Sequence, residues 1–260
     1  MKKTIMTLLC ALSLAAGASA QDDDLGLAFE KESGSSGVSF YGGFDLASAY
    51  AWRGNLLVKG ANFQPNIEFD AGPFALGLWN CTDFHGDMKE FDIYTSITAG
   101  QVTFTITDYF TQEDTNDPDA PRYGNYKKDE TAHTFEFSVD WTSEFGLDAS
   151  MNVLLYGADK KWWDPEKATD NAYGTYFELG YTTTVKEVDF RTFVGTVFNQ
   201  STWYGDGTGT HKGVNVVNLG VKASKEISIS DKFKLPVYAC FGYNPQADDV
   251  AAFAGFTLSF

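Results

Sequence analysis

Apolar residues recur at every second position in short segments from residue 38 to the last residue of the chain. In the final segment, residues 250–260, one face has only apolar residues: Val250, Ala252, Ala254, Phe256, Leu258 and Phe260. A repeat of two places successive side chains on opposite faces of a β-strand. Twelve segments have this pattern: 38–52, 62–71, 74–81, 89–98, 101–110, 131–141, 147–156, 173–185, 188–198, 214–224, 233–241 and 250–260. The chain is therefore predicted to be all-β.

The connections between these segments alternate in length. Five are tight turns with Gly, Pro or charged residues at the tip, such as 71–73 and 186–187. The other six are longer and polar, such as 111–130 and 199–213. Short periplasmic turns, long extracellular loops and an even strand number are typical of bacterial outer-membrane barrels. We predict a closed antiparallel transmembrane β-barrel of about twelve strands, with the first segment paired to the last and both termini in the periplasm.

A soluble β-sandwich or lipocalin is the alternative fold, because its polar face would also alternate with an apolar one. The terminal Phe260, the asymmetry of turns and loops and the tryptophans favour the barrel. Trp52 and Trp203 are expected near the outer interface and Trp141 near the inner one. Aromatic residues form girdles at both boundaries of a barrel's lipid-facing band.

The chain is predicted to have three parts. Residues 1–20 have a basic start, an apolar core and a small-residue cleavage site, which indicate a secretory signal peptide. Residues 21–37 are acidic and then Gly/Ser-rich, as expected of a flexible periplasmic lead. Residues 38–260 form the barrel. We expect the protein in the outer membrane of a Gram-negative bacterium.

The charge of the chain excludes one partner and leaves two interpretations. Its 260 residues have a formal net charge of −16, so nucleic acid is a poor partner. The acidity either keeps the loops soluble or produces a pore that prefers cations. Cys81 and Cys240 are predicted to point inward from distant strands, too far apart for a disulfide.

Catalytic and metal sites have little support in the sequence. His85, His133 and His211 lie in or beside the long loops, and none has Ser, Asp or Glu at a diagnostic spacing. We therefore expect no enzyme, no cofactor and no structural zinc. Residues 111–119 have enough carboxylates for Ca²⁺ but lack the Gly and the distal Glu of an EF-hand loop, which favours a solvated loop.

The first third of the chain resembles a known family. The resemblance rests on residues 50–54 (Tyr-Ala-Trp-Arg-Gly), 63–65 (Phe-Gln-Pro), Trp79, 89–94 and 107–110. These segments are similar to uncharacterised porin-like proteins of Gram-negative outer membranes, including members from the Bacteroidota. The resemblance implies a barrel of porin type and brings no catalytic residue with it.

Side chains of the opposite parity are predicted to face the lumen. The candidates for the pore lining are Arg53, Asp45, Glu68, Asp92, Glu136, Glu178, Arg191, Tyr41, Trp79, Tyr94, Tyr176 and Tyr238. Barrels of eight strands are filled by side chains and those of sixteen enclose a channel. The aromatic side chains of a twelve-stranded barrel either line a route for sugars or nucleosides or simply pack the lumen. Arg53 is expected at the outer end of the first strand, where it meets water or a carboxylate, with Glu68 and Asp45 in reach. Its role is either pore electrostatics or an ion pair that holds the first strand.

These observations predict an outer-membrane porin that gives small hydrophilic solutes a passive route. The alternatives are a barrel without a pore, acting as an adhesion or receptor surface through its loops, and, with less support, an outer-membrane enzyme. The expected partners are outer-membrane lipid, small solutes and the barrel assembly machinery, which we expect to recognise Phe260.

Overall fold

The computed structural model describes residues 37–86, 88–113, 120–204, 213–231 and 233–260. The predicted signal peptide, nearly all of the lead, residues 114–119 of the acidic loop and His211 lie outside the described residues. No helix in the described part of the chain is long and apolar enough to cross a membrane. The described strands are β1 (Val38–Ala47), β2 (Tyr50–Trp52), β3 (Asn55–Val58), β4 (Asn62–Ala71), β5 (Phe74–Asp83), β6 (Met88–Ala99), β7 (Val102–Glu113), β8 (His133–Thr142), β9 (Leu147–Gly157), β10 (Thr175–Val185), β11 (Val188–Val197), β12 (Asn215–Ser230), β13 (Phe233–Asn244) and β14 (Asp249–Ser259).

Twelve of these strands form one closed antiparallel barrel. Consecutive strands are neighbours from β4 to β14, and β1 closes the ring between β14 and β4. The closing register aligns Gly43 with Ser259 and Ala47 with Gly255. The predicted strand number and the pairing of the first strand with the last are both confirmed. Cys81 and Cys240 are not joined in a disulfide.

The barrel has an apolar exterior and a polar interior. Outward side chains such as Phe40 and Leu76 are 67% and 52% exposed, whereas the inward Asp45 and Asp92 are fully buried. This distribution is the reverse of that in a soluble protein, in which large apolar side chains are mostly inside. The sandwich alternative is therefore wrong, and the outer surface suits lipid.

The two ends of the barrel differ, as the alternation of connections predicts. One end has the tight turns, including Gly72 and Gly100 with positive φ and a two-residue turn at Lys186 (φ 52°) and Glu187 (φ 64°). We call this the turn end. The other end has the long connections and is called the loop end. β1 begins at the turn end beside Ala71 and stops near the loop end beside Asn62, and the terminal Phe260 lies alongside β1, where its N–H donates to the carbonyl of Gly42 at 2.8 Å.

The first predicted strand, residues 38–52, is wrong in its second half. The barrel strand β1 stops at Ala47, and the strands β2 and β3 form a separate hairpin that pairs only with itself. Tyr50 and Trp52 are 2% and 6% exposed, not on the lipid face. The expected position of Trp203 near the outer interface is also wrong, because Trp203 packs against Trp52 in the interior. A period of two indicates extended chain but does not say whether that chain stays in the wall.

Candidate functional site: the lumen and its plug

The hairpin β2–β3 turns back at a two-residue connection. Trp52 pairs with Asn55, and the residues between them, Arg53 and Gly54, have φ values of 48° and 87°. Positive φ at both central positions is the type I′ turn that suits the twist of a hairpin. A Cβ at Gly54 would lie 2.0 Å from the carbonyl oxygen of Val217, so only glycine fits this approach to β12. Arg53 has a disfavoured backbone conformation, which its side-chain contacts must stabilise.

The Arg53 side chain forms a buried ion pair with Glu136. Nη1 donates to Oε2 of Glu136 at 2.5 Å and Nη2 donates to Oε1 at 2.9 Å. Oε1 also accepts hydrogen bonds from Tyr109 Oη (3.0 Å) and Ser138 Oγ (3.1 Å), and Nη1 donates to Tyr204 Oη at 2.9 Å. Two-point pairing of a guanidinium with a carboxylate is strong and directional. The two side chains are 3% and 0% exposed.

This ion pair extends across the lumen. Counted through β4, β5, β6 and β7, β8 is the fifth strand from β1 in a ring of twelve. Glu136 therefore lies nearly opposite the point where the hairpin leaves the wall. We call the hairpin, residues 50–58, the plug.

The prediction that Arg53 meets Glu68 or Asp45 is wrong. Glu68 accepts a hydrogen bond from Tyr94 Oη at 2.7 Å. Asp45 lies near Thr257, Tyr238 and Lys222 on the other side of β1. The hairpin moves Arg53 away from both carboxylates, because the chain leaves the wall before residue 53.

Aromatic rings enclose the ion pair. Tyr204 stacks between Trp52 and Tyr176, with centroid separations of 5.4 Å to each ring and interplanar angles of 15° and 17°. The Arg53 guanidinium lies 4.6 Å from the Trp52 centroid and 5.0 Å from that of Tyr176, within cation–π distance. Tyr50, at the start of the hairpin, lies against Trp79 at 5.5 Å. The loop-end half of the lumen is therefore filled by packed rings around one buried cation.

Tyr204 enters the lumen from the connection after β11, and sequence reasoning missed it. Asp159 fixes this connection, because its carboxylate accepts hydrogen bonds from Gly174 N–H (2.7 Å) and Ser201 Oγ (2.9 Å). Burial raises the pKa of Asp159 above its ordinary value, although these hydrogen bonds oppose the shift. The connection also touches the plug, since Asn55 Nδ2 donates to the Trp203 carbonyl at 2.7 Å. The one signal in the sequence that could have found Tyr204 is the pair of large aromatic residues, Trp203 and Tyr204, within a polar loop.

A second polar network lies nearer the turn end. Arg191 Nη2 donates to Asp148 Oδ1 at 2.6 Å and to Glu178 Oε1 at 2.8 Å. Asn218 Nδ2 donates to the other Glu178 oxygen at 3.0 Å, and Tyr176 Oη donates to the same oxygen. This network joins side chains of neighbouring wall strands, whereas the Arg53–Glu136 pair crosses the lumen.

Charge is distributed unevenly around the lumen. The barrel strands β1 and β4–β8 have one Lys and no Arg in their sequences, and that lysine, Lys89, is exposed on the outer face. Seven carboxylates of these strands are buried: Asp45, Glu68, Asp70, Asp83, Glu90, Asp92 and Glu136. Lys222 and Arg191 lie on the opposite side of the ring, directly paired in register between β11 and β12. Arg53 is the cation that the plug brings to the acidic half.

The structure places the twelve candidate residues along the lumen. Arg191 and Tyr41 are partly exposed, and the other ten are buried. It brings Arg53, Glu136 and Tyr176 together at the plug, and Arg191 with Glu178 nearer the turn end. The remaining candidates are spread along the wall: Asp45, Glu68, Asp92, Tyr41, Trp79, Tyr94 and Tyr238.

The histidines differ from expectation at one position. His85 is exposed as expected, but His133 is fully buried at the start of β8. Its Nδ1 lies 2.8 Å from Asp108 Oδ1 and its Nε2 lies 2.6 Å from the Tyr123 carbonyl oxygen. One ring nitrogen therefore contacts strand β7, and the other contacts the loop that contains Tyr123. Among the residues that the structure describes, no group of three His, Cys, Asp or Glu is placed to bind a metal ion.

Comparison with known proteins gives only distant likenesses. The chain matches no protein-family model and no curated protein. A triple mutant of the Rhodopseudomonas blastica porin is 11% identical over 76% of this chain and 55% of its own, with a TM-score of 0.39. Another mutant of that porin is 10% identical over 82% and 66% of the two chains, with a TM-score of 0.41. A structure from work on in-meso crystallisation of membrane proteins is 4% identical over 85% and 83%, with a TM-score of 0.42. The chain spans a little over half the length of the first of these porins.

Proposed function

We propose that this chain is a porin-type barrel of a Gram-negative outer membrane that gives small hydrophilic solutes a passive route, which its own plug restricts. The observation that carries the proposal is the combination of an apolar exterior with a lumen wall that buries seven carboxylates. An apolar outer band suits lipid, and a polar interior suits hydrated solutes.

The charged lumen favours conduction over simple filling. Burying a carboxylate is costly unless it is paired, hydrogen-bonded or hydrated. Apolar and aromatic side chains fill the loop-end half of the lumen. The same kind of side chain could fill the rest of a barrel that has no pore, so the buried carboxylates of the wall favour a hydrated route. Within the described residues, Oε1 of Gln64 and both side-chain polar atoms of Asn66 have no protein partner. Buried amides of this kind suit contact with water or a passing solute.

The plug has the properties of a movable restriction. Its strands β2 and β3 form no ladder with the barrel. Side-chain contacts hold it in place: ring packing of Trp52 on Tyr204 and of Tyr50 on Trp79, the buried Arg53–Glu136 pair, and the bonds from Asn55 to the Trp203 carbonyl and from Asn244 to the Gly54 carbonyl (3.2 Å). We infer that the route is narrow or closed with the plug in place and opens when the plug moves.

A preference for cations follows from the same wall. Fixed charge of one sign in a narrow path attracts counter-ions and repels co-ions. Seven buried carboxyl groups lie on one half of the ring, and Arg53 on the plug pairs with one of them, Glu136, so each of the other six that is ionised makes the field of that half more negative.

A barrel without a pore, acting as a receptor or adhesion surface through its long loops, is the second candidate. It is favoured by the filling of the loop-end half, where Glu136, Tyr176 and Leu154 are each no more than 1% exposed. The two candidates differ in what happens when the plug is removed.

Planar-bilayer recording of the refolded full chain tests the proposal. The parent should give small or brief current steps. Glu136→Gln keeps the shape of the side chain but removes the charge that holds Arg53, so steps should become larger or longer. Glu226→Gln removes an exposed carboxylate near the turn end and is the matched control, which should behave like the parent.

Deletion of residues 50–58 gives the decisive result. It leaves residues 48–49 and 59–61 as a five-residue connection between β1 and β4, within the usual length of a hairpin loop. Steady, larger conductance of this variant supports the porin. Silence of all variants, in protein whose heat-modifiable gel migration shows a folded barrel, would overturn the proposal in favour of the barrel without a pore.

A further inference from the structure

One long connection is fixed against the outside of the barrel. Residues 120–132 precede β8 at the loop end, and Tyr123 and Tyr126 cover the outward-facing His133. The centroids of these rings lie 5.0 and 3.9 Å from that of His133. His133 is consequently 0% exposed, although its parity is that of the lipid-facing side chains of β8.

A polar clamp holds this loop in place. His133 contacts Asp108 and the Tyr123 carbonyl through its two ring nitrogens. Tyr126 Oη donates to the second oxygen of Asp108 at 3.1 Å, and Tyr156 Oη donates to the Tyr126 carbonyl at 2.8 Å. Polar groups on the outer wall are expensive against lipid. Their use here shows that the loop covers this part of the wall and is positioned at the rim.

The rings around the clamp form part of an aromatic girdle. Tyr123 packs edge-on against Phe91 (5.5 Å) and Phe110 (5.2 Å). Tyr126 packs against Phe135 at 6.2 Å, which in turn packs against Tyr156 at 6.0 Å. Aromatic residues collect at the membrane–water interface, so this band lies at the height of the lipid headgroups.

Exposed cations flank these rings. The stretch from Arg122 to Lys128 contains three cations and no carboxylate, and all three are exposed. Lys127 pairs with Glu130 at 3.2 Å, across an exposed surface where such pairs exchange freely. Lys160 on the next loop has its Nζ 6.0 Å from the Tyr156 ring centroid and hydrogen-bonded to Asn171 at 2.8 Å.

Lys160 belongs to the same surface as the loop. Burial lowers the pKa of Lys160, and the nearby charge of Lys128 acts in the same direction, whereas Asp129 and Asp170 oppose it. The adjacent Trp162 is 53% exposed, as is usual for an interfacial tryptophan. In a chain with a formal net charge of −16, the stretch from Arg122 to Lys128 is cationic, although Asp129 and Glu130 follow it directly.

We propose that this rim surface, formed by Arg122, Tyr123, Tyr126, Lys127, Lys128 and Lys160, binds the phosphate groups of anionic lipids in the outer leaflet. Its cations are held beside aromatic rings at headgroup height, where each cation near a charged membrane surface contributes to attraction. Arg122 offers a planar guanidinium that suits two-point contact with a phosphate. The rim surface faces away from the lumen, so it functions whether or not the barrel conducts.

Native mass spectrometry of the full chain in detergent, without divalent cations, tests this inference. The probes are diphosphorylated lipid A and the same lipid with its phosphates removed. The parent should retain the phosphorylated lipid preferentially. Replacement of Arg122, Lys127 and Lys128 by Gln should weaken its retention roughly tenfold or more, because three cations are lost. Lys186, Lys225 and Lys234 lie near the turn end, and their triple replacement by Gln is the control with the same charge change.

Equal retention of the two lipids, or an equal loss in the control variant, would overturn the inference. Heat-modifiable migration establishes that each variant is folded. His133→Gln is a second test variant, because it loosens the clamp without removing an exposed cation. It should weaken retention of the phosphorylated lipid only. Efficient displacement of the bound lipid by millimolar inorganic phosphate would also contradict the inference, because this result would show a site for a free anion and not for a lipid headgroup.

Discussion

The guanidinium of Arg53 and the carboxylate of Glu136, 83 positions apart in the chain, meet across the lumen through two hydrogen bonds of 2.5 and 2.9 Å. Both side chains are buried, at 3% and 0% exposed. Removing one partner of such a pair costs about 3–5 kcal/mol, because the other charge stays buried. The pair therefore stabilises the position of the plug and neutralises one charge of the acidic wall.

Arg53→Ala should raise the cation preference of any conducting state. The change removes the positive charge opposite the acidic wall, and Glu136 then adds to the negative field. The measurement is the reversal potential across a salt gradient, and the preference should shrink at high salt, where the Debye length falls to about 3 Å at 1 M. Lys59→Ala removes an exposed cation from the same connection and is the control. An anion-preferring parent, or an unchanged reversal potential in Arg53→Ala, would refute the electrostatic explanation and leave the barrel fold untouched.

Gly54→Ala should displace the plug without changing any charge. Its Cβ would lie 2.0 Å from the Val217 carbonyl oxygen, and φ at this position is 87°, a conformation that alanine rarely adopts. We expect a local cost of about 1–3 kcal/mol and longer open times in bilayer recordings. Gly124→Ala is the matched control, because a Cβ there meets nothing within 4 Å. If the two alanine variants have the same open times, the plug does not limit conduction.

Deletion of Phe260 should lower the yield of folded barrel in the outer membrane without reducing secretion. The residue forms two backbone hydrogen bonds with Gly42, at 2.8 and 3.2 Å, and is 87% exposed. We expect the assembly machinery to recognise this exposed terminal ring, so Phe260→Tyr should retain most of the yield. Fractionated membranes from a Gram-negative host provide the measurement, and equal yields for the deletion and the parent would contradict it.

Asp159 should make the docking of Tyr204 dependent on pH. Burial raises the pKa of Asp159 above its ordinary 3.8, so the docked connection binds the proton more tightly than the released one. Docking is therefore favoured at low pH and weakens as the pH rises from 3.8 through the raised value. Openings in bilayer recordings should be rarer on the acidic side of this window, and Asp159→Asn, which mimics the neutral form, should remove the dependence. Asp164→Asn, on the same loop, should retain it; equal pH profiles for the parent and Asp159→Asn would exclude this role.

The alternation of apolar and polar positions was enough to predict the barrel. Each wall strand has to present one face to lipid and the other to the lumen, so the period of two assigns side chains such as Phe40 and Asp45 directly. Turn residues were equally informative, because Gly72 and Gly100 adopt the positive φ that tight turns require. Both signals are local in the sequence. They are enough to predict which strands are neighbours, because strands joined by a short connection pair with each other.

The contents of the lumen depended on contacts that no local pattern records. Residues 50–52 continue the alternation of β1, yet they leave the wall, and the rings of Trp52 and Tyr50 pack against Tyr204 and Trp79 inside. Arg53 and Tyr204 are 151 positions apart, so their contact exists only once the barrel has closed. The same holds for His133, which is buried because a loop folds back over it. The sequence thus determines which face of each strand meets lipid, whereas closure of the ring decides which charges meet in its interior, since that depends on strands distant along the chain.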